Sequence, residues 1–287
     1  MKNKIVDDVS IALLERNFIV KQVGCVFDVI AVKGEEKYLI KCLKEANSLT
    51  QANLENMKKV ASYTNSIPVI VAQSSGQIIE DGVLYSRNGI TTVNINTFTS
   101  IISKQPLYVK SSNAGFVVSL DKDKFKKTRE EFNYSLNSLA KKLCVTPKMI
   151  KKYEQCDSYV NLITAERIFD LFGEEVFNQL SLKPIAEKFN DELTKPVARK
   201  YDSLGFSVTE IGKKGFDLLA KYNDETILTM LGDKINKNFL KISEVFSIDN
   251  LVVFKTKKPN NLDIATIKED EFFEFEKPSD VLDYVKS

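Results

Sequence analysis

The sequence predicts α/β domains at both ends of the chain with an all-α domain between them. Three observations carry that prediction. Short apolar runs bounded by turn residues alternate with helical stripes near both termini. A capped helix pair, Ser135 to Cys156, lies between them. The amino-terminal pattern Phe27-Asp28 returns as Phe216-Asp217, the mark of an internal duplication. The expected α/β domains are residues 1–110 and 190–287, and the helical domain is 119–182.

At the amino terminus, Asp7 to about Arg16 carries Val9, Ile11, Ala12 and Leu13 as a helical stripe, and the short strand Phe18–Val23 follows. Phe27–Val32 is an apolar strand with one acid, Asp28. Lys33-Gly34-Glu35-Glu36 turns the chain into a returning strand, Lys37–Leu43. A linker leads to the helix Leu54–Tyr63, and Ile67–Ala72 reads as a strand buried on both faces. Further on, Asp81-Gly82 and Asn88-Gly89 are turn signals flanking the short strand Val83–Ser86.

In the middle of the chain, Ser135 can cap a helix through its hydroxyl, and Leu136, Leu139, Ala140 and Leu143 form one apolar stripe behind it. Cys144-Val145-Thr146 interrupts the stripe. Thr146 is a second cap, with Pro147 at the first helical position, where its missing N–H costs nothing. Ile150 and Tyr153 then face inward, while Lys148, Lys151 and Lys152 face outward. Two short helices joined by such a turn cross steeply, which leaves the second able to enter a major groove. From Lys122 to Lys152 ten basic residues meet three acidic ones, in a chain whose net charge is only +2. That is the footprint of phosphate contact. The same lysines would also suit the solvated side of a surface helix; the agreement of caps, turn, stripe and charge favours nucleic acid. On that reading Lys148, Lys151 and Lys152 reach base edges or flanking phosphates of double-stranded promoter DNA. Pro147 packs on a thymine methyl or sugar, and Ser135 and Asn137, with Thr146, fix the helix starts. Lysines discriminate bases less sharply than paired arginines, so DNA shape would supply part of the specificity.

The 287 residues are 43% hydrophobic and 28% charged, an ordinary globular composition with room for two or three domains. No apolar run nears the ~20 residues that span a bilayer, and MKNKIVDDVS lacks the apolar core of a signal peptide. A cytoplasmic protein without membrane contact is expected. Histidine is absent, which excludes Ser-His-Asp and Cys-His engines and Cys/His zinc sites. Cys25, Cys42, Cys144 and Cys156 lack ligand spacing; they read as free thiols, with redox sensing by Cys144 or Cys156 as the other reading. No cofactor and no metal are expected.

The helix pair resembles that of lambda-repressor/Cro-type regulators: Ser135, Leu139-Ala140, Leu143, Val145-Thr146, Ile150 and Glu154 sit where that pattern has them. Cys144 departs from it, because that turn position is usually glycine and a cysteine there has to adopt positive φ or shift the turn. The resemblance implies a scaffold ion pair between Arg129 and Glu154. It also makes Thr164–Phe172, capped by Thr164 and ended by Gly173, and Glu175–Leu180 the fourth and fifth helices. Asp81-Gly82-Val83-Leu84-Tyr85 with Gly89-Ile90, and Pro106-Leu107-Tyr108 with Gly115-Phe116-Val117, are similar to segments of the archaeal HTH-type transcriptional regulators, a resemblance that runs over most of the chain. Thr91 stands where that family has proline, and Asn113-Ala114-Gly115 where it has a glycine pair.

The order of amino-terminal elements resembles the restriction-endonuclease-like or resolvase-like nuclease core, in which an Asp on one strand and an acid-x-Lys on the next hold a divalent metal. Asp28 stands at the first position. The next strand, YLIKCL, puts Lys41 at the acid and Leu43 at the lysine, or Leu39 at the acid if Lys41 is the lysine. Neither register leaves a metal pair, so an inactive scaffold is expected. In the second copy Phe206–Gly212 aligns with Phe18–Gly24 and, one inserted residue later, Phe216-Asp217 with Phe27-Asp28. The hairpin Tyr222–Glu225 falls on Lys33–Glu36, Leu251–Phe254 falls near Val69–Ala72, and the returning strand TILTML again lacks acid-x-Lys. Both aspartates then terminate or polarise a strand, for instance by accepting a neighbouring backbone N–H. Lys183-Pro184 and Lys195-Pro196 bracket a helix or linker, and Asp270–Glu276 reads as an edge strand or an exposed acidic surface.

The fold expected is therefore α/β plus all-α: two degenerate restriction-endonuclease-like domains flanking a five-helix lambda-repressor-like domain. A sequence-specific transcription regulator that is not an enzyme is the first functional expectation, a homodimer whose α/β domains dimerise or contact the transcription machinery. The resemblance brings in motility genes as one class of target. A metal-dependent, structure-specific DNA nuclease is the second expectation, and an antitoxin- or adaptor-like autorepressor the third.

Overall fold

Val9 and Leu13 lie one helical turn apart and are fully buried, which seats the first helix, α1 (Lys2–Leu14), on strands β1 (Ile19–Gln22) and β3 (Glu36–Glu45), with β2 (Val29–Lys33) between those strands. The computed structural model describes residues 2–187, 189, 192–212, 215–259 and 264–287; Asn190, the expected start of the last domain, lies outside them. The chain is mixed α/β and divides into two compact units, Met1–Gly76 with Lys183–Ser287, and Gln77–Leu182. Residues 77–118 thus cluster with the helix pair.

The first unit holds both copies of the repeat. Copy one continues with α2 (Gln51–Tyr63), capped by Thr50, and β4 (Ile67–Ser74), which runs parallel to β3 with Ile40 opposite Val69. β1, β2 and β3 are antiparallel neighbours, and Gly34 at φ +56° makes the two-residue turn between the last two.

In the second unit β5 (Val83–Arg87), β6 (Ile90–Val93), β7 (Val109–Ser112), β8 (Gly115–Leu120) and β9 (Ser158–Asn161) follow the order β6-β5-β7-β8-β9, with α3 (Ile95–Ile102) between β6 and β7. Asp81 and Gly82 latch the start of α3. The Asp81 carboxylate receives the Asn94 and Asn96 amides, and Gly82, at φ +73°, donates its N–H to Thr97 Oγ1 at 2.9 Å. Between β8 and β9 come α4 (Lys122–Glu131), α5 (Leu136–Leu143) and α6 (Pro147–Gln155), and α7 (Leu162–Phe172) follows β9. Phe125, fully buried, meets the Tyr153 and Phe172 rings edge-on at 6.0 and 5.8 Å and centres their shared core.

Copy two repeats copy one: α8 (Pro196–Ser203), β10 (Ser207–Glu210), β11 (Leu218–Tyr222), β12 (Glu225–Leu231), α9 (Lys237–Phe246) and β13 (Asp249–Phe254). The pairing again runs antiparallel, antiparallel, parallel, with Leu218 opposite Thr229 and Thr229 opposite Leu251, and Asn223 at φ +53° takes the place of Gly34 in the turn. β14 (Ala265–Lys268), α10 (Glu269–Phe272) and α11 (Pro278–Lys286) complete this copy.

Four expectations are corrected. Ile11 is 54% exposed, because it falls two residues from Val9, on the outer face of α1. Glu175–Leu180 is not a helix: Glu174–Val176 is a single 3-10 turn, after which Asn178 N–H bonds Ser119 O and Leu180 N–H bonds Leu107 O, holding the backbone extended. Thr164 does not cap α7; Asn161 does, its side chain accepting the Thr164 N–H at 2.9 Å. Asp270–Glu276 is not an edge strand, because its first three residues finish α10 and Phe272 turns in to meet the Tyr201 ring at 4.9 Å. Gly173 ends α7 as expected, at φ +75°.

Phe125→Ala should destabilise the protein by about 3–5 kcal/mol through the cavity it leaves, whereas Ile11→Ala should stay within about 0.5 kcal/mol. Urea unfolding followed by far-UV circular dichroism checks both values.

Candidate functional site

Two groups of residues stand out: the exposed side of the α5–α6 pair, and an aspartate–lysine centre in each α/β copy. Ser135 caps α5 by accepting the Ser138 N–H at 3.0 Å, and Thr146 caps α6 by accepting the Met149 N–H at 3.3 Å, with Pro147 at the head of the helix. Between them Cys144 takes the left-handed conformation, φ +54°, that its place after α5 demands. Leu143 and Ile150 are fully buried and Tyr153 nearly so, whereas Ser135, Asn137, Thr146, Pro147, Lys148, Lys151 and Lys152 are all exposed. Lys148, Lys151 and Lys152 lie three and four residues apart on one side of α6.

What holds this pair in place is buried beneath it. The Arg129 guanidinium on α4 donates to both Glu154 carboxylate oxygens, one of them at 3.4 Å, and to Tyr134 O at 2.8 Å, with the Arg129 and Glu154 side chains 12% and 10% exposed. The bond to Glu154 raises the Arg129 pKa above its ordinary value, so the guanidinium stays charged throughout the working pH range. Arg167 on α7, which sequence reasoning missed, donates to Leu143 O at 3.1 Å and closes the open end of α5. Of the surrounding lysines, Lys124 and Lys127 face Asp121 and Glu131 at 3.6 and 3.7 Å. Cys144 and Cys156 are exposed free thiols, and Cys25 and Cys42 are buried ones.

The aspartate centres are built alike. Asp28 Oδ2 accepts the Cys42 N–H at 2.9 Å, and Asp217 Oδ2 accepts the Leu231 N–H at 2.9 Å. Each aspartate also bonds through its own backbone to the strand on either side. Val29 pairs with Ile40, so Lys41 comes opposite Asp28, and its Nζ lies 3.3 Å from Oδ1. In copy two the opposite residue is Met230, and Lys195, at the head of α8, brings its Nζ to 2.7 Å from Asp217 Oδ1. Glu210 holds that helix start by accepting the Thr194 and Lys195 N–H groups, each at 2.7 Å, and the Thr194 hydroxyl at 2.6 Å. Burial pushes the Glu210 pKa up, but these bonds outweigh it and leave the carboxyl below its ordinary value.

These donors do not fit a divalent metal. Magnesium needs several oxygen ligands, and each centre offers one carboxylate with an ammonium against one oxygen and a backbone N–H against the other. Cys25, near Asp28, supplies no thiolate, since burial pushes its pKa up to about 11. The cleft beside Asp217, about 430 Å³, is lined by Gly215, Met230, Lys234 and Asn236 among others and adds no second acid. Among the described residues no group of three or more acids or cysteines is arranged to hold a metal ion, and no helix is long and apolar enough to cross a membrane.

A family model described as a PD-(D/E)XK superfamily domain matches residues 2–107. A protein of Pyrococcus furiosus is 30% identical over 80% of this chain and 76% of its own length. A protein of Methanococcus maripaludis strain C7 is 28% identical over 100% of this chain and 98% of its own, and one of Picrophilus torridus is 28% identical over 85% and 78%. Each is named "Putative HTH-type transcriptional regulatory protein". No solved structure matches the chain.

Lys41→Met takes the ammonium away from a buried carboxylate and should cost about 3–5 kcal/mol, and adding Asp28→Asn should recover part of it. Lys195→Met should cost less, because the Lys195 and Asp217 side chains are 26% and 18% exposed against 11% and 10% for Lys41 and Asp28. Urea unfolding of the three variants reads this; equal costs for the two lysines would sink the explanation by burial.

Proposed function

The chain belongs to the family of archaeal HTH-type transcriptional regulatory proteins, and on that premise we propose that it is a sequence-specific DNA-binding regulator, not an enzyme, that reads the major groove with α6. The observation that carries this is the α5–α6 pair: capped at both starts, fixed from below by Arg129 and Glu154, and lysine-rich on its open side. Lys148, Lys151 and Lys152 contact base edges or flanking phosphates. Pro147 meets a thymine methyl or sugar, and Ser135, Asn137 and Thr146 anchor the helix starts to phosphate. Two chains bind one partly symmetric site, since a nine-residue helix reads too few bases to specify a promoter alone. The α/β unit is the part that faces the transcription machinery.

The nuclease reading has one observation in its favour, the PD-(D/E)XK superfamily match over residues 2–107. The chemistry of the two aspartate centres weighs against it, since in both a lysine stands where that reaction needs an oxygen-bound cation.

The test is binding to fragments of the protein's own upstream region and to unrelated DNA at about 150 mM salt, beside a Lys148→Ala/Lys152→Ala variant. The wild type should prefer one short site. The variant should lose that preference, and its slope of log affinity against log salt should fall by about 2 per chain. Equal, weak binding to every fragment, unchanged in the variant, would remove α6 as the reader.

A further inference from the structure

The two α/β copies do more than repeat each other; they pack on each other reciprocally. α2 of copy one lies against β11 of copy two, and α9 of copy two lies against β1 and β2 of copy one. α2 and α9 are the same element of the repeat, as are β2 and β11. The helices end alike: Asn65 and Ser247 both turn left-handed, at φ +49° and +51°, and their N–H groups return to Ser62 O and Glu244 O at 3.4 and 3.3 Å. Counted back from those caps, Asn56 in α2 and Asn238 in α9 occupy the same place. Gly24 and Gly212 also correspond, each following the strand that opens its sheet.

Those four residues meet crosswise. A Cβ on Gly24 would lie 3.5 Å from Asn238 Nδ2, and a Cβ on Gly212 would lie 3.6 Å from Asn56 Nδ2. When residue i of one copy touches j of the other, and j of the first touches i of the second, a two-fold axis relates them. Around this pair of contacts the joint is closed by other bonds. Thr226 Oγ1 donates to Tyr63 O at 3.3 Å, the Tyr63 hydroxyl meets Ser207 Oγ at 3.0 Å, and Lys241 Nζ donates to Gln22 O at 3.0 Å. Lys21 Nζ stands 3.3 Å from a Glu244 carboxylate oxygen. Gly215, at φ +117°, allows the close approach, since a Cβ there would come within 3.2 Å of Cys25 Cβ.

We infer that the α/β unit is a two-fold dimer made within one chain, in which each copy is the other's partner. The surface that a single-copy protein would turn to a second molecule is already occupied. A second chain on DNA therefore meets this one through another surface. This holds whether or not the DNA-reading proposal stands.

The symmetry predicts two cross-links. Gly24→Cys with Asn238→Cys, and separately Gly212→Cys with Asn56→Cys, are placed in the full chain with Cys144→Ser and Cys156→Ser, then treated at low protein concentration with a short thiol–thiol cross-linker and mapped by peptide mass spectrometry. Both pairs should join within single chains. Joining only between chains, or joining of one pair and not the other in variants with wild-type circular dichroism, would overturn the internal two-fold. The unaltered chain supplies a second reading that needs no substitution: zero-length carbodiimide coupling should join Lys21 to Glu244 in material of single-chain mass. A link found only in a covalent dimer, or in neither species, would count against it.

Discussion

A carboxylate at the head of a buried strand is the constraint that shapes both α/β copies. Asp28 and Asp217 each take the N–H of a residue fourteen positions on, which ties the second strand of the repeat to the third at the point where the antiparallel ladder ends. Their other oxygen then needs a cation, because an ionised group withdrawn from water is costly unless it is paired. Copy one meets that need from across the sheet with Lys41. Copy two meets it from the head of α8 with Lys195, which Glu210 holds in place. The demand for positive charge is common to the two copies, and the residue that supplies it is not.

The same physics, with different residues, sets the α5–α6 pair. Arg129 and Glu154 lie 25 residues apart and meet between α4 and the last turn of α6, where the planar guanidinium matches both carboxylate oxygens. The Phe125, Tyr153 and Phe172 rings fill the space beside them. Cys144 bears a left-handed conformation that costs a residue with a Cβ about 1–2 kcal/mol, and the surrounding bonds, with Arg167 on Leu143 O, offset it. The lysines of α6 are thus presented on a rigid element, the arrangement that recognition of a shaped surface requires.

Much of the local structure was legible. Thr146-Pro147, Lys33-Gly34 and the Phe-Asp repeat each announce an element through chemistry confined to a few neighbours, and the ion pair of Arg129 with Glu154 was implied by the resemblance of the helix pair to a known pattern. What was missed has a common cause. β6 to β9 are only four to six residues long, and β8 and β9 pair across the intervening helices, so no local pattern marks them. DEFFEFE alternates as a strand does, but Glu271 accepts the Lys268 N–H at 3.4 Å and the Tyr201 ring takes Phe272, and the start of the segment winds into a helix.

By itself the sequence determined where α5 and α6 begin, where the hairpins at Gly34 and Asn223 turn, that the α/β pattern occurs twice, and that neither returning strand, YLIKCL or TILTML, reads acid-x-Lys. Those properties depend on residues within a turn or two of each other, or on composition. Only the tertiary structure decided which lysine neutralises which aspartate, that Arg167 closes α5, and that Gly24 and Gly212 face Asn238 and Asn56 in crossed pairs. Each of those joins residues 13 to more than 150 positions apart, and contacts of that kind follow from strand register and from the packing of one copy on the other, which no short stretch of chain encodes.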